Sequence, residues 1–270
     1  MNNQKEVQWL LKDKYNNKFP ANRQDKIKFK KDIKRIEQGE PVDYIIGFTE
    51  FLGCKIDLSK KPLIPRKETE YWTAIALNQI KNRIFSLKLK TWQPGLPAEK
   101  FTNIKCLDIF AGSGCIGVAI LANTDGVLCD FADKEKKILA QIKINLKKNF
   151  INEKKYKVIN SNIFSKIKEK YDFIFANPPY IPIVKKNKIQ KSVLSYEPKQ
   201  ALFGGKDGMN FINKFLKNAR NYLLPNGKIF MEFDSPQKNK IENLLKKLKY
   251  KKWQFFNDQY KKARWVEIEL

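Results

Sequence analysis

Residues 104–123, IKCLDIFAGSGCIGVAILAN, decide the fold. The run IKCLDIF (104–110) is apolar and reads as a buried strand. Gly112 and Gly114 interrupt it, and SGCIGVAILAN carries on as a helix. Strand, glycine turn and helix in this order begin an alternating unit, and the pattern repeats downstream. GVLCDFA (126–132), YKVINS (156–161), YDFIFA (171–176) and GKIFMEF (227–233) read as strands. KEKKILAQIKINLKKN (134–149), IFSKIKEK (163–170), GMNFINKFLKNARNYL (208–223) and QKNKIENLLKKLK (237–249) read as helices. KWQFFND (252–258) and ARWVEIEL (263–270) are two consecutive strands. The expected class is α/β, a mostly parallel, doubly wound sheet closed by an antiparallel hairpin.

Working outward, Asn2–Glu40 has helical spacing, and GEPVDYIIGFTEFLGCKIDL (39–58) reads as a turn with short extended pieces in a hairpin. LIPRKETEYWTAIALNQIKNRIF (63–85) starts a helix near Glu68 or Thr69. SLKLKTWQPGLPAEKFTN (86–103) gathers Pro94, Gly95 and Pro97 and reads as a loop. The expected division is a small helical N-terminal domain with a hairpin over 1–62, a linker helix and insertion over 63–103, and the α/β domain over 104–270.

The chain has 270 residues and a net charge of +26, from 54 basic and 28 acidic side chains. Such a surface suits phosphates. The lysines are spread along the whole chain, and AT-rich coding sequence alone gives this Lys-, Asn- and Ile-rich composition. Nucleic acid is therefore an allowed partner, not a required one. The absence of histidine excludes Ser-His-Asp and Cys-His catalysis and all His-containing metal sites. Cys54, Cys106, Cys115 and Cys129 form no C-x-x-C pair and read as buried free thiols, so no metal is expected. No apolar run approaches the ~18 residues of a membrane span, and the start has no secretory pattern. A cytoplasmic monomer is the expectation.

The turn Phe110-Ala111-Gly112-Ser113-Gly114 offers free N–H groups at a helix N-terminus and lets a ligand approach the backbone. It is neither a G-x-G-x-x-G fingerprint nor a P-loop. Asp133 closes the next strand, where a carboxylate accepts hydrogen bonds from both ribose hydroxyls; a helix N-cap is its other reading, and the two are compatible. Asp130 lies three residues earlier, inside the strand. FANPPYIPI (175–183) places Asn177, Pro178, Pro179 and Tyr180 after another buried strand. Together these elements resemble the S-adenosylmethionine-dependent methyltransferases. In that chemistry an amino or amide nitrogen is a poor nucleophile. Acceptors such as the Asn177 oxygen and the Pro178 carbonyl orient it and favour positive charge on it, and Tyr180 gives a face to pack against.

Four separated blocks narrow the resemblance: GEPVDYIIGFTEFLG (39–53), LIPRKETE (63–70), NPPYIP (177–182) and YEPKQALFGGKDGMNF (196–211). In this order they resemble the peptide chain release factor N5-glutamine methyltransferases. The resemblance implies a helical N-terminal domain joined to a Rossmann-like class I methyltransferase domain. It implies S-adenosylmethionine as cofactor and the glutamine of the Gly-Gly-Gln loop of class 1 release factors as substrate. Carried over residue by residue, Phe110–Gly114 bind the methionine part of the cofactor, Asp133 the ribose, and Ile163 flanks the adenine, with Asn162 before it also in the cofactor site. Asn177 serves cofactor and substrate. Asn177, Pro178 and Tyr180 are the implied catalytic residues, with Pro179, Arg66 and Glu197 in the substrate pocket. Arg66, Glu68 and Glu197 equally read as structural ion pairs. Three departures stand out: Phe110 where the family has glycine, Asn162 where it has aspartate, and EFDSPQ (232–237) for E-I-G-x-x-Q. The alternative is a nucleic-acid amino-methyltransferase acting on adenine N6 or cytosine N4.

Overall fold

The computed structural model describes residues 3–91 and 103–270. Two helices, α1 (Asn3–Tyr15) and α2 (Arg23–Glu37), open the chain, followed by the one-turn helix α3 (Val42–Ile46). Leu10, Ile36, Val42 and Ile45 close a small core of their own among these three. Gly47, at φ 95°, ends α3 and feeds the antiparallel hairpin β1 (Phe48–Phe51) and β2 (Cys54–Asp57).

The hairpin packs on the α/β domain through side-chain amides. Gln141, Asn145 and Asn149 recur every fourth residue on α6 (Lys136–Lys148) and its C-cap, so they share one helix face. Asn149 accepts from Lys55 N–H at 3.0 Å and Asn145 from Asp57 N–H at 2.7 Å, while Gln141 accepts from Lys60 N–H at 2.8 Å. Gln141 and Asn145 are fully buried. The free edge of β2 is thus satisfied without another strand.

The main sheet has seven strands in the order β5-β4-β3-β6-β7-β9-β8. These are β3 (Ile104–Ile109), β4 (Val127–Asp133), β5 (Val158–Asn160), β6 (Tyr171–Ala176), β7 (Leu223–Glu232), β8 (Lys252–Asn257) and β9 (Ala263–Glu269). β3 to β7 run parallel, and β9 joins β7 antiparallel, as the terminal hairpin predicted. Strand order reverses beside β3, which opens a crevice at the carboxyl ends of β3, β4 and β6. One face of the sheet packs against α4 (Lys67–Thr91), α5 (Cys115–Asn123), α6 and the hairpin. The other takes α9 (Asn210–Ala219) and α10 (Lys238–Lys247).

Helix α4 runs through residues read above as the start of a loop: Ser86–Thr91 continue it. Trp72, Ala76, Leu77 and Ile80 are buried in the core, and Ile84 and Leu87 pack against it. Arg83 pairs with Asp172 at 2.8 Å, so apolar burial and an ion pair carry the helix on. Trp92–Thr102, the rest of the predicted insertion, lie outside the described residues. The helix predicted over 163–170 is a turn instead. Ser161 Oγ takes Lys166 N–H, Ser165 Oγ takes Asn162 N–H, and Ile163 sits at φ 53°. Serine side chains competing for the backbone account for the difference. Three short segments that periodicity misses fill 183–202: a 3-10 stretch (Ile183–Lys188), α7 (Lys191–Tyr196) and α8 (Lys199–Leu202). All four cysteines are buried and free, as predicted. Among the described residues, no helix is long and apolar enough to cross a membrane.

Gly117 lets α5 lie flat on the sheet: a Cβ there would meet the Phe131 ring at 2.4 Å. We expect Gly117→Ala to cost about 1–3 kcal/mol through overpacking. Urea unfolding should show this as a lower midpoint with an unchanged slope.

Candidate active site

A cavity of about 710 Å³, mouth included, lies at the crevice beside β3. Its wall includes Phe110 and Gly112 from the glycine turn, Asp133 from the end of β4, Asn162 and Ile163 after β5, and Asn177 and Pro179 after β6. Ala111, Ser113 and Gly114 do not line it. They form the inner side of the turn: Ala111 N–H donates to Ala132 O at 3.2 Å, and Gly114, at φ 77°, starts α5. Gly112 sits at φ 55°, and a Cβ there would meet nothing nearer than Phe110 O at 3.9 Å, so a ligand can approach its backbone.

Phe110 adopts φ 59°, the left-handed conformation that suits glycine. The strain, about 1–2 kcal/mol, is offset by packing. Its ring meets Phe211 and Phe215 of α9 edge-on, each at 6.1 Å between centroids.

Both Asp133 oxygens accept backbone N–H groups, from Gly112 at 3.1 Å and Glu135 at 3.1 Å. Burial nonetheless raises its carboxyl above the usual carboxylate range. Each oxygen keeps a lone pair for a further donor. Asp130, the competitor, is turned to the opposite end of the strand network, where it accepts from Tyr171 OH at 3.0 Å and Lys157 N–H at 3.0 Å. Asn162 is exposed at the rim.

The Asn-Pro-Pro-Tyr corner is braced from behind. Ile181 and Phe203 form a parallel bridge, with Ile181 N–H donating to Leu202 O at 2.9 Å and Gly204 N–H to Ile181 O at 2.9 Å. A Cβ on Gly204 would stand 2.4 Å from Pro179 O, and one on Gly208 2.1 Å from Tyr180 O. Gly204 and Gly208 of GGKDG (204–208) therefore belong to the corner: they allow two backbones to touch. Pro178 is buried. Tyr180 donates from its hydroxyl to Glu232 Oε1 at 3.0 Å, and burial holds that phenol well above its ordinary value.

Glu232, at the end of β7, is a residue the sequence reading noted only as part of a departing motif. It is 1% exposed. Besides Tyr180 it accepts from Thr69 Oγ1 at 2.6 Å and Trp72 Nε1 at 2.8 Å, and Asn177 Nδ2 donates to Thr69 Oγ1 at 3.2 Å. Burial raises its carboxyl, opposed by these hydrogen bonds. The available signal was positional: like Asp133, it closes an apolar strand at the carboxyl edge of the sheet. Arg66 and Glu197 do not reach the cavity. They pair with each other at 2.6 Å, Glu197 also accepts from Ile64 N–H at 3.2 Å, and both line a neighbouring groove beside α1, α3 and α7.

Asp108 lies fully buried below the turn, with Oδ2 accepting from Gly117 N–H at 3.0 Å and Oδ1 without a partner. Burial pushes its carboxyl up to about 8, the Gly117 N–H opposing and nearby Asp133 adding to the rise. A carboxyl raised by folding takes up a proton as the chain folds, so its contribution to stability is lost as pH climbs towards the folded value. Relative to the parent, Asp108→Asn should gain thermal midpoint between pH 5 and pH 8. Melting curves at the two pH values check this, and a pH-independent difference would contradict it.

Comparison with known proteins agrees with this geometry. Residues 94–196 match the family model "Methyltransferase small domain". A release factor glutamine methyltransferase of Borreliella burgdorferi is 34% identical over 255 residues, 92% of this chain and 80% of that protein. A bifunctional methyltransferase of Rickettsia prowazekii is 34% identical over 250 residues, 89% of this chain. The chain spans 46%, about half, of that relative's length. Among solved structures, the catalytic domain of hMettl16 in complex with the MAT2A 3'UTR hairpin 6 aligns with TM-score 0.59 and 14% identity, over 90% of this chain and 80% of that one. That likeness extends to the fold alone, the class I methyltransferase sheet. With the four sequence blocks in family order on that fold, the chain belongs to the release factor glutamine methyltransferases.

Proposed function

We propose that this chain transfers a methyl group from S-adenosylmethionine to the side-chain amide nitrogen of a glutamine, the one in the Gly-Gly-Gln loop of class 1 peptide chain release factors. The observation that carries the reading is shared space. Asn177 and Pro179 of the acceptor-rich corner line the same cavity as Gly112 and Asp133. The cavity suits the cofactor: it has a glycine with open backbone, a half-buried carboxylate with spare lone pairs, and a volume within the usual range for such ligands.

When bound, the cofactor supplies an electrophilic methyl on a sulfonium. Asp133 would hold the ribose hydroxyls, and Gly112 would leave room at the turn. Ile163 would pack beside the adenine, with Asn162 at the rim nearby. Asn177 and the Pro178 carbonyl accept from the two N–H hydrogens of the glutamine amide. They would orient the nitrogen and favour the positive charge that grows on it as the methyl–nitrogen bond forms, the methyl–sulfur bond breaks to leave a neutral thioether, and one N–H proton passes to solvent. Tyr180 and the prolines are stiff, so little reorganisation accompanies binding. Arg66 and Glu197, tied to each other, hold the loops beside the corner instead of touching the amide. A translation factor as substrate places the enzyme in the cytoplasm.

Methyl transfer from labelled S-adenosylmethionine tests this directly. Release factor, the same factor with its loop glutamine changed to alanine, and duplex and single-stranded DNA are offered in parallel. Label is expected on the unaltered factor only; label on DNA would instead favour the nucleic-acid reading. Asn177→Ala should lower kcat by about a hundredfold or more, the scale set by losing the orientation of a reacting group. Asp133→Ala should weaken cofactor binding in calorimetry by about tenfold or more, as two hydrogen bonds to ribose disappear.

A further inference from the structure

Resting on the reading above, we propose that Thr69 and Glu232 are positioning residues that fix which end of the Asn177 amide faces the substrate. The inference follows from counting protons. The indole N–H of Trp72 can only donate, so Glu232 Oε2, 2.8 Å away, must accept. Thr69 Oγ1 lies 2.6 Å from the same oxygen and gives it its single hydroxyl proton. Tyr180 OH occupies Oε1. Thr69 then has nothing but lone pairs to offer Asn177, 3.2 Å away. Only the amide nitrogen can answer, so Nδ2 turns to Thr69.

The consequence reaches the substrate. Once Nδ2 is committed, Oδ1 has no donor among the described residues and belongs to a side chain that lines the cavity. It is an acceptor by construction. A glutamine amide presents an NH2 that fits it. The reversed amide would set donor against donor, leaving polar groups unpaired where water is scarce. A glutamate carboxylate, which is acceptor-only, meets the converse mismatch, acceptor against acceptor, with the correctly turned Asn177. Thr69 is fully covered, on the first turn of α4, and Glu232 terminates β7, so a helix and a strand remote in sequence set the polarity of a loop residue.

The test uses the full chain and three readouts. Thr69→Val keeps the shape and removes the hydroxyl; Thr69→Ser restores it. We expect Thr69→Val to lower kcat for the release-factor glutamine by about a hundredfold, with KM and cofactor affinity within about threefold of the parent. Thr69→Ser should recover kcat to within about threefold, the hydroxyl being the group that matters. In parallel, nuclear magnetic resonance of the unaltered protein should show one slowly exchanging Asn177 side-chain N–H, a reading that holds even should Thr69→Val fold poorly. A Thr69→Val enzyme as active as the parent would overturn the proposal. So would a Thr69→Ser enzyme as impaired as Thr69→Val, or an Asn177 amide whose two protons both exchange freely. A protected Asn177 N–H in an enzyme that labels no release factor would keep the positioning role and bring down the substrate reading.

Discussion

A carboxylate cut off from water has to be met by donors, and Glu232 organises the structure through that requirement. Removing a charge from water carries a penalty of several kcal/mol unless hydrogen bonds replace the solvent. Thr69 and Trp72 of α4 and Tyr180 of the corner supply those bonds. Three segments far apart in sequence are thus held at one point. The apolar surroundings strengthen the hold: Trp72 lies over Phe175 at 6.4 Å, and Phe175 meets Phe230, which stacks on Trp265 at 5.6 Å. Low dielectric makes each bond to Glu232 stronger and its loss more damaging.

The same economy of polar groups joins the small N-terminal part to the sheet. Gln141 and Asn145 are buried amides on α6, and they are tolerated because the hairpin backbone uses them. Asn145 also donates to Ser113 O at 2.8 Å, within the glycine turn. The hairpin, α6 and the turn therefore share one hydrogen-bonded residue. Glu40 extends the pattern outside the core. It accepts from Arg35 at 2.8 Å and Lys61 at 2.7 Å, and these partners hold its carboxyl down at about 2 despite burial.

Much of this was legible in the sequence, for definite reasons. The alternating strands and helices from 104 onward are strongly periodic, and the parallel order with its terminal hairpin follows. The glycine turn, Asp133 and Asn177 each end a buried strand, so their common place at the crevice could be read from chain order alone. What stayed hidden depends on contacts across the fold. Ser86–Thr91 look like the start of a proline-rich loop until the packing of Ile84 and Leu87 on the core is seen. The short segments between Ile183 and Leu202 have too few turns to show a period. Ile163 in a left-handed conformation blocks, at its first residue, a helix that the spacing alone would start. The roles of Glu232 and Thr69 stay hidden in sequence because they lie in a pairing across 163 positions.

Phe110 carries one more consequence. Its positive φ is held by a grip on Phe211 and Phe215, so the turn at the cavity and helix α9 on the far face are one mechanical unit. Whatever settles into the cavity against that turn will also quiet α9. Occupancy should thus register as slowed hydrogen exchange in a helix that contributes only Phe211 to the cavity wall, which makes α9 a built-in reporter of ligation.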